Sequence, residues 1–181
     1  MVEIKLENIV ASTEFAEKLD LDMIAHSLEG SEYEPEQFPG LVYHLEKPKT
    51  AVLLFRSGKA NITGAKNVDQ AHQTAKIVAQ KLKEIGVEVY DDPKVVVQNM
   101  VGISDLKIEP NLNEVAIGLG LENVEYEPEQ FPGLVYRIDE PRISILLFGS
   151  GKVVCAGAKK VEDVEKAVEK LSEKLRNLGI L

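Results

Sequence analysis

Three histidines and a single cysteine are the side chains of this sequence best suited to catalysis or metal binding. His26, His44 and His72 lack the close spacing typical of metal ligands, and Cys155 has no second cysteine for a disulfide. The glycine-rich phosphate-binding pattern GxxxxGK is missing too. We therefore expect no enzymatic activity, no metal and no cofactor, and the lone cysteine fits a reducing cytoplasm.

Two other residue types occupy unusual positions. Asn8 in ENIV and Asn99 in QNMV fall within strand-like segments, where asparagine is disfavoured. Phenylalanine stands before proline in the acidic segment EYEPEQFPGLVY, which occurs identically at 32–43 and 125–136. A bulge or strand end would explain either asparagine alone, and core packing is the ordinary role of a phenylalanine. Their recurrence at matching places favours a functional role.

The whole chain is a tandem duplication. Residues 32–66 and 125–159 align without gaps, and 22 of the 35 positions are identical. Upstream, the offset falls from 93 to 91. We divide the chain into an N-terminal repeat, 1–91, and a C-terminal repeat, 92–181. Two copies of about ninety residues predict two similar halves rather than a solenoid.

Each repeat has a readable order of elements. An alternating strand at 2–7, or around Val95 and Val97, precedes a short helical stretch at 14–28 or 111–121. Three β-rich runs follow, LVYHL, TAVLLF and KANITG or LVYRI, ISILLF and KVVCAG, with SGK as a hairpin turn. A long amphipathic helix then ends at Gly86 or Gly179. This order predicts an α+β fold with an antiparallel sheet.

The helices of each repeat suffice to cover one face of such a sheet. In TAVLLF, however, both alternating sets are apolar, with Ala51, Leu53 and Phe55 on one side and Val52 and Leu54 on the other. ISILLF behaves in the same way. A strand buried on both faces would explain this pattern. The shortage of helices instead predicts an apolar interaction surface.

The charge of the protein argues against an ordinary nucleic-acid binder. The formal net charge is −9 and the pI is near 4.9, whereas such proteins usually have a basic surface. The acids are spread over both repeats and concentrate in the helices and the EYEPEQ segments. No apolar run approaches the ~18 residues of a membrane helix.

The sequence resembles the TATA-box-binding protein family, archaeal type, over essentially its whole length. QNMV, the two EYEPEQFPGLVY segments, the two LLF–SGK units and the two GAK endings carry the resemblance. It implies a saddle: a curved ten-stranded antiparallel sheet with helices on the convex side and DNA under the concave face. The minor groove would then cover the second face of the sheet.

The resemblance also implies the residues that touch DNA. Asn8, Asn99 and Thr63 would hydrogen-bond to base edges, while Val10, Leu53, Val101, Leu146 and Val154 would line the groove. Phe38 with Phe55, and Phe131 with Phe148, would wedge between base steps beside Pro39 and Pro132. Phosphate contacts would fall to Lys59, Lys152 and Arg137, with Ser57 and Ser150 nearby.

Three positions depart from the family pattern. Ala156 replaces the threonine that the first repeat keeps at Thr63, Asn61 stands where an aliphatic residue is common, and His44 corresponds to Arg137. The differences break the twofold symmetry of the repeats, and either orientation on an asymmetric site stays open.

The resemblance implies a general transcription initiation factor that binds and bends the TATA box. Glu127, Glu129 and Gln130 would contact the TFIIB-like factor TFB. Recruitment of TFB would be followed by recruitment of RNA polymerase. We expect a cytoplasmic, nucleoid-associated protein with no membrane association. Two alternatives use the same apolar face: a homodimer, which stays possible off DNA, and a domain that holds a lipid-like ligand. Neither accounts for paired asparagines beside paired Phe-Pro units.

Overall fold

The computed structural model describes residues 3–181, so Val2, predicted in the first strand, lies outside the described residues. The described residues form two compact units. The N-terminal unit comprises 8–98, and the C-terminal unit comprises 99–181 together with 3–7.

The N-terminal unit contains five antiparallel strands and two helices. The strands are hydrogen-bonded in the order β2-β3-β4-β5-β1. Its elements along the chain are β1 (Lys5–Glu14), α1 (Leu21–Ser27), β2 (Ser31–Glu32), β3 (Leu41–Glu46), β4 (Lys49–Leu54), β5 (Lys59–Ala65) and α2 (Val68–Glu84).

The C-terminal unit repeats this plan. Its strands are hydrogen-bonded in the order β6-β10-β9-β8-β7, again antiparallel. Its elements are β6 (Val96–Asp105), α3 (Leu112–Leu119), β7 (Val124–Glu125), β8 (Leu134–Asp139), β9 (Arg142–Leu147), β10 (Lys152–Ala158) and α4 (Val161–Asn177). The predicted strands and long helices are therefore present in both repeats.

The long helices form the core of each unit by covering one face of its strands. α2 packs on β5, and α4 packs on β10 and β9. On the buried face of each helix, apolar residues recur every three or four positions. Among them, Val78 and Leu82 in α2 and Leu171 and Leu175 in α4 are fully buried. Burial of each such side chain stabilises the fold by about 1.5–3 kcal/mol.

The short helix of the N-terminal unit differs from the prediction. A helical stretch over 14–28 was expected, but helix α1 begins only at Leu21, because the Asp20 side chain caps it by accepting a hydrogen bond from Met23 N at 3.2 Å. Strand β1 continues to Glu14, and Phe15 N then donates to Gly58 O at 2.8 Å. Contact with the β4–β5 hairpin therefore holds this segment extended.

The predicted SGK hairpins are confirmed. Gly58 N donates to Phe55 O at 3.0 Å, and Gly151 N donates to Phe148 O at 2.9 Å. Both glycines have φ near +90°. A Cβ atom would lie 1.8 Å from Ala16 O at Gly58 and 2.0 Å from Ile108 O at Gly151, so each turn requires glycine.

Candidate nucleic-acid interface

Each unit has one sheet face that its own helices do not cover. Along β4 and into the following turn, Val52 and Leu54 are fully buried beneath the helices, whereas Ala51, Leu53 and Phe55 are partly exposed. Strand β9 shows the same alternation. The predicted second apolar face is therefore present, and we call this half-exposed surface the open face of each unit.

The centre of each open face is a row of cross-strand neighbours. Such neighbours lie close enough to form a continuous surface. In the N-terminal unit the row is Val42, Leu53, Asn61 and Ser12. In the C-terminal unit it is Val135, Leu146, Val154 and Ile103.

A second row of cross-strand neighbours lies beside the first in each unit. In the N-terminal unit it runs through His44, Ala51 and Thr63. In the C-terminal unit it runs through Arg137, Ser144, Ala156 and Val101. Val10 lies on β1 and, like Val101, is half-exposed. The structure thus brings the predicted groove-lining residues of each unit onto one face.

Asn8 and Asn99 are held by matching backbone hydrogen bonds. Asn8 Oδ1 accepts from Gly64 N at 2.7 Å, and Asn99 Oδ1 accepts from Gly157 N at 2.6 Å. Both glycines have positive φ, 89° and 102°, at irregularities in the β1–β5 and β6–β10 ladders. These contacts occupy the amide oxygens and direct the amide nitrogens, which only donate, away from the glycines.

The four phenylalanines form the two pairs that the resemblance implies. The rings of Phe38 and Phe55 are edge-to-face with centroids 6.0 Å apart, and those of Phe131 and Phe148 are 5.9 Å apart. Phe38 and Phe131 remain 40% and 41% exposed, which is high for large apolar rings. Each pair is thus a preformed apolar projection.

Close packing keeps the aromatic pairs in place. A Cβ atom at Gly133 would lie 2.7 Å from the Phe131 ring and 2.9 Å from the Phe148 ring, and Gly40 shows the same crowding. The Phe131 backbone N also donates to Glu127 O at 3.0 Å, so the acidic segment turns immediately before the ring. The adjoining Pro39 and Pro132 are exposed.

Cationic side chains are few on these surfaces. Lys59 and Lys152 are exposed at the start of β5 and β10, each with its backbone N 3.4 Å from the hydroxyl of Ser57 or Ser150. Arg137, predicted to contact phosphate, is paired with Glu125 through a 2.6 Å ion pair. Both partners are more than half exposed, so this pair is weak and exchangeable.

The acidic segment of the C-terminal repeat is exposed at Glu127, Glu129 and Gln130. Its backbone forms a turn in which Gln130 N donates to Glu127 O at 2.9 Å. Glu34 and Gln37 form the same turn in the N-terminal repeat. Both segments therefore present carboxylates to solvent.

Comparison with known proteins identifies the family. The sequence profile of the family described as "Transcription factor TFIID (or TATA-binding protein, TBP)" matches residues 3–85 and again 94–178. The chain belongs to the TATA-binding protein family. The double match agrees with the tandem duplication found in the sequence.

Relatives and a solved structure extend this result over nearly the full chain. The TATA-box-binding protein of Thermoplasma acidophilum is 62% identical over 179 residues, which cover 99% of this chain and 97% of the relative. That of Picrophilus torridus is 60% identical over 181 residues, 100% of this chain and 98% of the relative. The structure of "Methanococcus jannaschii TBP" matches with a TM-score of 0.90 at 50% identity, covering 97% of this chain and 99% of that one. The predicted α+β fold class, with ten antiparallel strands in two repeats, is confirmed.

The side chains suited to metal binding or catalysis do not form a site in the described residues. Residues 3–181 contain no group of three or more His, Cys, Asp or Glu side chains that could hold a metal ion. Cys155 is fully buried on the helix-covered side of β10, as its alternation with Val154 and Ala156 predicts, and burial raises its pKa to about 12. Within the same residues, no helix is long and apolar enough to cross a membrane.

Sequence reasoning missed part of the open face of this TATA-binding protein family member. Val42, Val135, Ile103, Ser12 and Ser144 lie in the cross-strand rows but were not singled out as site residues. The alternation of LVYHL and LVYRI contains the signal for the two valines. Ser12 and Ile103 could not be placed, because β1 was predicted to end before Ser12 and the run of β6 beyond Val101 was not assigned.

Proposed function

We propose that this protein is a general transcription initiation factor that binds the TATA element of promoters in the DNA minor groove and bends it. The observation that carries the proposal is the hydrogen bonding of the Asn8 and Asn99 side chains. Each stands at the edge of an aliphatic surface with its oxygen held by a glycine N–H, which fixes the amide so that its N–H donors point away from the glycine. Donors on an apolar surface suit the acceptors of A·T pairs.

The chemistry of the minor groove explains the expected sequence preference. A·T and T·A pairs present only adenine N3 and thymine O2 acceptors there, whereas G·C adds an amino donor. Leu53, Leu146 and Val154 would lie against that amino group, leave it without a partner and exclude it sterically. An unpaired buried polar group costs about 1–3 kcal/mol, which suffices to select A·T at each covered position.

The aromatic pairs supply the bending. Exposed Phe38 and Phe131, supported edge-on by Phe55 and Phe148, would insert between base steps and unstack them. Unstacking costs a few kcal/mol per step, which the added contact with bent DNA offsets. Pyrimidine–purine steps such as TA deform most easily, so deformability adds to the preference for TATA-like elements.

Phosphate contacts would be limited. Lys59, Lys152 and Arg137 are the proposed contacts, with the hydroxyls of Ser57 and Ser150, and Arg137 would exchange its Glu125 partner for a phosphate. With so few cations, little counterion release accompanies binding. We expect a shallower salt dependence than for a basic DNA-binding protein.

The acidic turn of the C-terminal repeat supports a protein-binding role. Glu127, Glu129 and Gln130 are exposed and flank the wedge without belonging to the open face. We propose that they contact the TFIIB-like factor TFB, which in turn brings RNA polymerase to the promoter. In a cell without a nucleus this places the protein in the cytoplasm, on the nucleoid. The repeats 1–91 and 92–181 would act as one DNA-binding surface.

A gel-shift assay combined with fluorescence transfer across a duplex tests this proposal. A TATA duplex should be bound and bent, and a duplex with G·C pairs in place of the element should not. Phe131→Ala or Phe148→Ala should reduce bending more than Cys155→Ser, because Cys155 lies in the core. Equal effects of the three substitutions would contradict the wedge role. Size-exclusion chromatography would show whether the apolar faces pair two copies off DNA.

A further inference from the structure

The open face of the N-terminal unit is polar at a place where that of the C-terminal unit is apolar. Asn61 lies on β5 between Leu53 of β4 and Ser12 of β1 as cross-strand neighbours. The corresponding row of the C-terminal unit places Val154 between Leu146 and Ile103. One amide and one hydroxyl thus replace two aliphatic side chains in the central row of this face.

The polar group continues along the face. Ser12 Oγ accepts a hydrogen bond from Gln98 Nε2 at 2.9 Å and keeps its own proton for donation. Asn61 is half-exposed, and no hydrogen-bond partner for its side chain is found within residues 3–181. The Asn61 amide therefore presents both an oxygen acceptor and a nitrogen donor to whatever covers this face.

Asn61 differs in this respect from the two anchored asparagines. The oxygens of Asn8 and Asn99 are held by Gly64 and Gly157, so these two amides cannot turn without losing a hydrogen bond. Asn61 can turn its amide about the terminal side-chain torsion, which is broad and roughly two-fold. It can donate to the acceptors of an A·T pair or accept from the amino group of a G·C pair.

We propose that Asn61, with Ser12 beside it, lets the N-terminal unit accept a G·C pair in its part of the DNA element. Val154 and Ile103 give the C-terminal unit no such partner, so that unit requires A·T. The protein would then orient itself on a mixed element with its N-terminal unit over the G·C pair. This inference rests on the proposed minor-groove function and names its specificity residue.

The test uses a self-complementary A·T element and two derivatives. The first derivative carries one G·C pair in one half of the element. The second carries a G·C pair at the matching position of both halves. Each derivative is made for every position of the half-element in turn. At the position that Asn61 covers, the wild-type protein should lose at most about threefold in affinity on the first derivative, because it can turn to satisfy the amino group, and about tenfold on the second.

Two exchange variants give the inference its sharpest test. Asn61→Val should lose about tenfold on the singly substituted element, because neither unit then pairs the amino group. Val154→Asn should regain most of the affinity that the wild type loses on the doubly substituted element. Both positions are half-exposed, and thermal unfolding should confirm that each variant folds. Equal discrimination by wild type and Asn61→Val at every position would overturn the inference.

Inosine separates the amino group from other properties of the pair. An I·C pair lacks the amino donor, so all proteins should bind I·C and A·T derivatives alike. A penalty for Asn61→Val that persists on I·C would overturn the role assigned to the amino group. If no protein binds even the unsubstituted element, the minor-groove function itself fails, and this inference with it.

Orientation can be read directly by DNA cleavage. Because Cys155 is fully buried and Glu36 is exposed, a Glu36→Cys variant would react with a DNA-cleavage reagent selectively at position 36. On the singly substituted element the wild-type background should cut beside the half that carries G·C. The Asn61→Val background should cut both ends equally. Equal cutting by both backgrounds would contradict the proposal.

Discussion

Asn99→Asp separates the two roles that the structure gives to this side chain. Asn99 Oδ1 accepts from Gly157 N at 2.6 Å, and its amide nitrogen is the proposed donor to a base. Aspartate keeps the accepting oxygen and loses the donor. A charged acceptor hydrogen-bonds at least as strongly as a neutral one, so we expect the free energy of unfolding to stay within about 1 kcal/mol of wild type.

The expected loss of DNA affinity follows from the same geometry. The substitution removes one hydrogen bond, about 1 kcal/mol, and sets a carboxylate against a base acceptor, which costs a further ~1–3 kcal/mol. The total of about 2–4 kcal/mol corresponds to a roughly 30- to 700-fold weaker complex. Asn8→Asp should behave in the same way, because Asn8 is anchored identically to Gly64 at 2.7 Å.

Asn99→Ala is the matched control. Compared with Asn99→Asp, it should lower the stability of the fold more and the DNA affinity less. It leaves Gly157 N without its side-chain partner, and because Gly157 is exposed, water replaces part of the bond, so the loss of stability is about 0.5–1.5 kcal/mol. It removes the donor and introduces no charge, so the loss of about 1 kcal/mol should weaken binding only about fivefold. Chemical denaturation and fluorescence-anisotropy titration on a TATA duplex measure the two quantities. Binding of Asn99→Asp as tight as wild type would refute the donor assignment.

Three further outcomes follow from the packing. Gly133→Ala should reduce DNA bending, because its Cβ would lie 2.7 Å from the Phe131 ring and displace it. Fluorescence transfer measures the bending, and unchanged bending would contradict the claim that the position of the aromatic pair matters. Gly151→Ala should destabilise the fold by about 2–4 kcal/mol more than Gly179→Ala in urea, since both glycines have positive φ but only Gly151 meets a backbone oxygen, at 2.0 Å. Burial raises the pKa of Cys155 to about 12, so the unfolded chain, titrating near 8.5, loses its proton first, and stability should fall as the pH rises between these values. Cys155→Ser should remove that part of the pH dependence, and an identical slope in both proteins would contradict it.

The sequence predicts the repeated fold well because its signals are local. Alternation and the SGK turns fix the hairpins, and the apolar spacing with Gly86 and Gly179 fixes the long helices. The start of α1 was wrong, since Phe15 pairs its backbone with Gly58, 43 residues later in the chain, and no local pattern records that contact.

The candidate site was predictable in its residue types but not in its hydrogen bonding. The resemblance predicts that Asn8 and Asn99 lie on the DNA-binding face. That their oxygens are occupied depends on contacts 56 and 58 residues away in sequence, which only the folded ladders create. The pairing of Arg137 with Glu125, 12 residues away, also depends on strand β7 pairing with β8.

The central claim is that the open faces read the minor groove of A·T pairs through the absence of an amino group. The most direct measurement is the affinity for a TATA duplex in which every A·T pair is replaced by I·C, compared with the G·C duplex. The I·C pair resembles A·T in the minor groove and G·C in the major groove. The I·C duplex should be bound nearly as tightly as the A·T duplex, and the G·C duplex should not be bound. Binding to I·C as weak as to G·C would contradict the central claim.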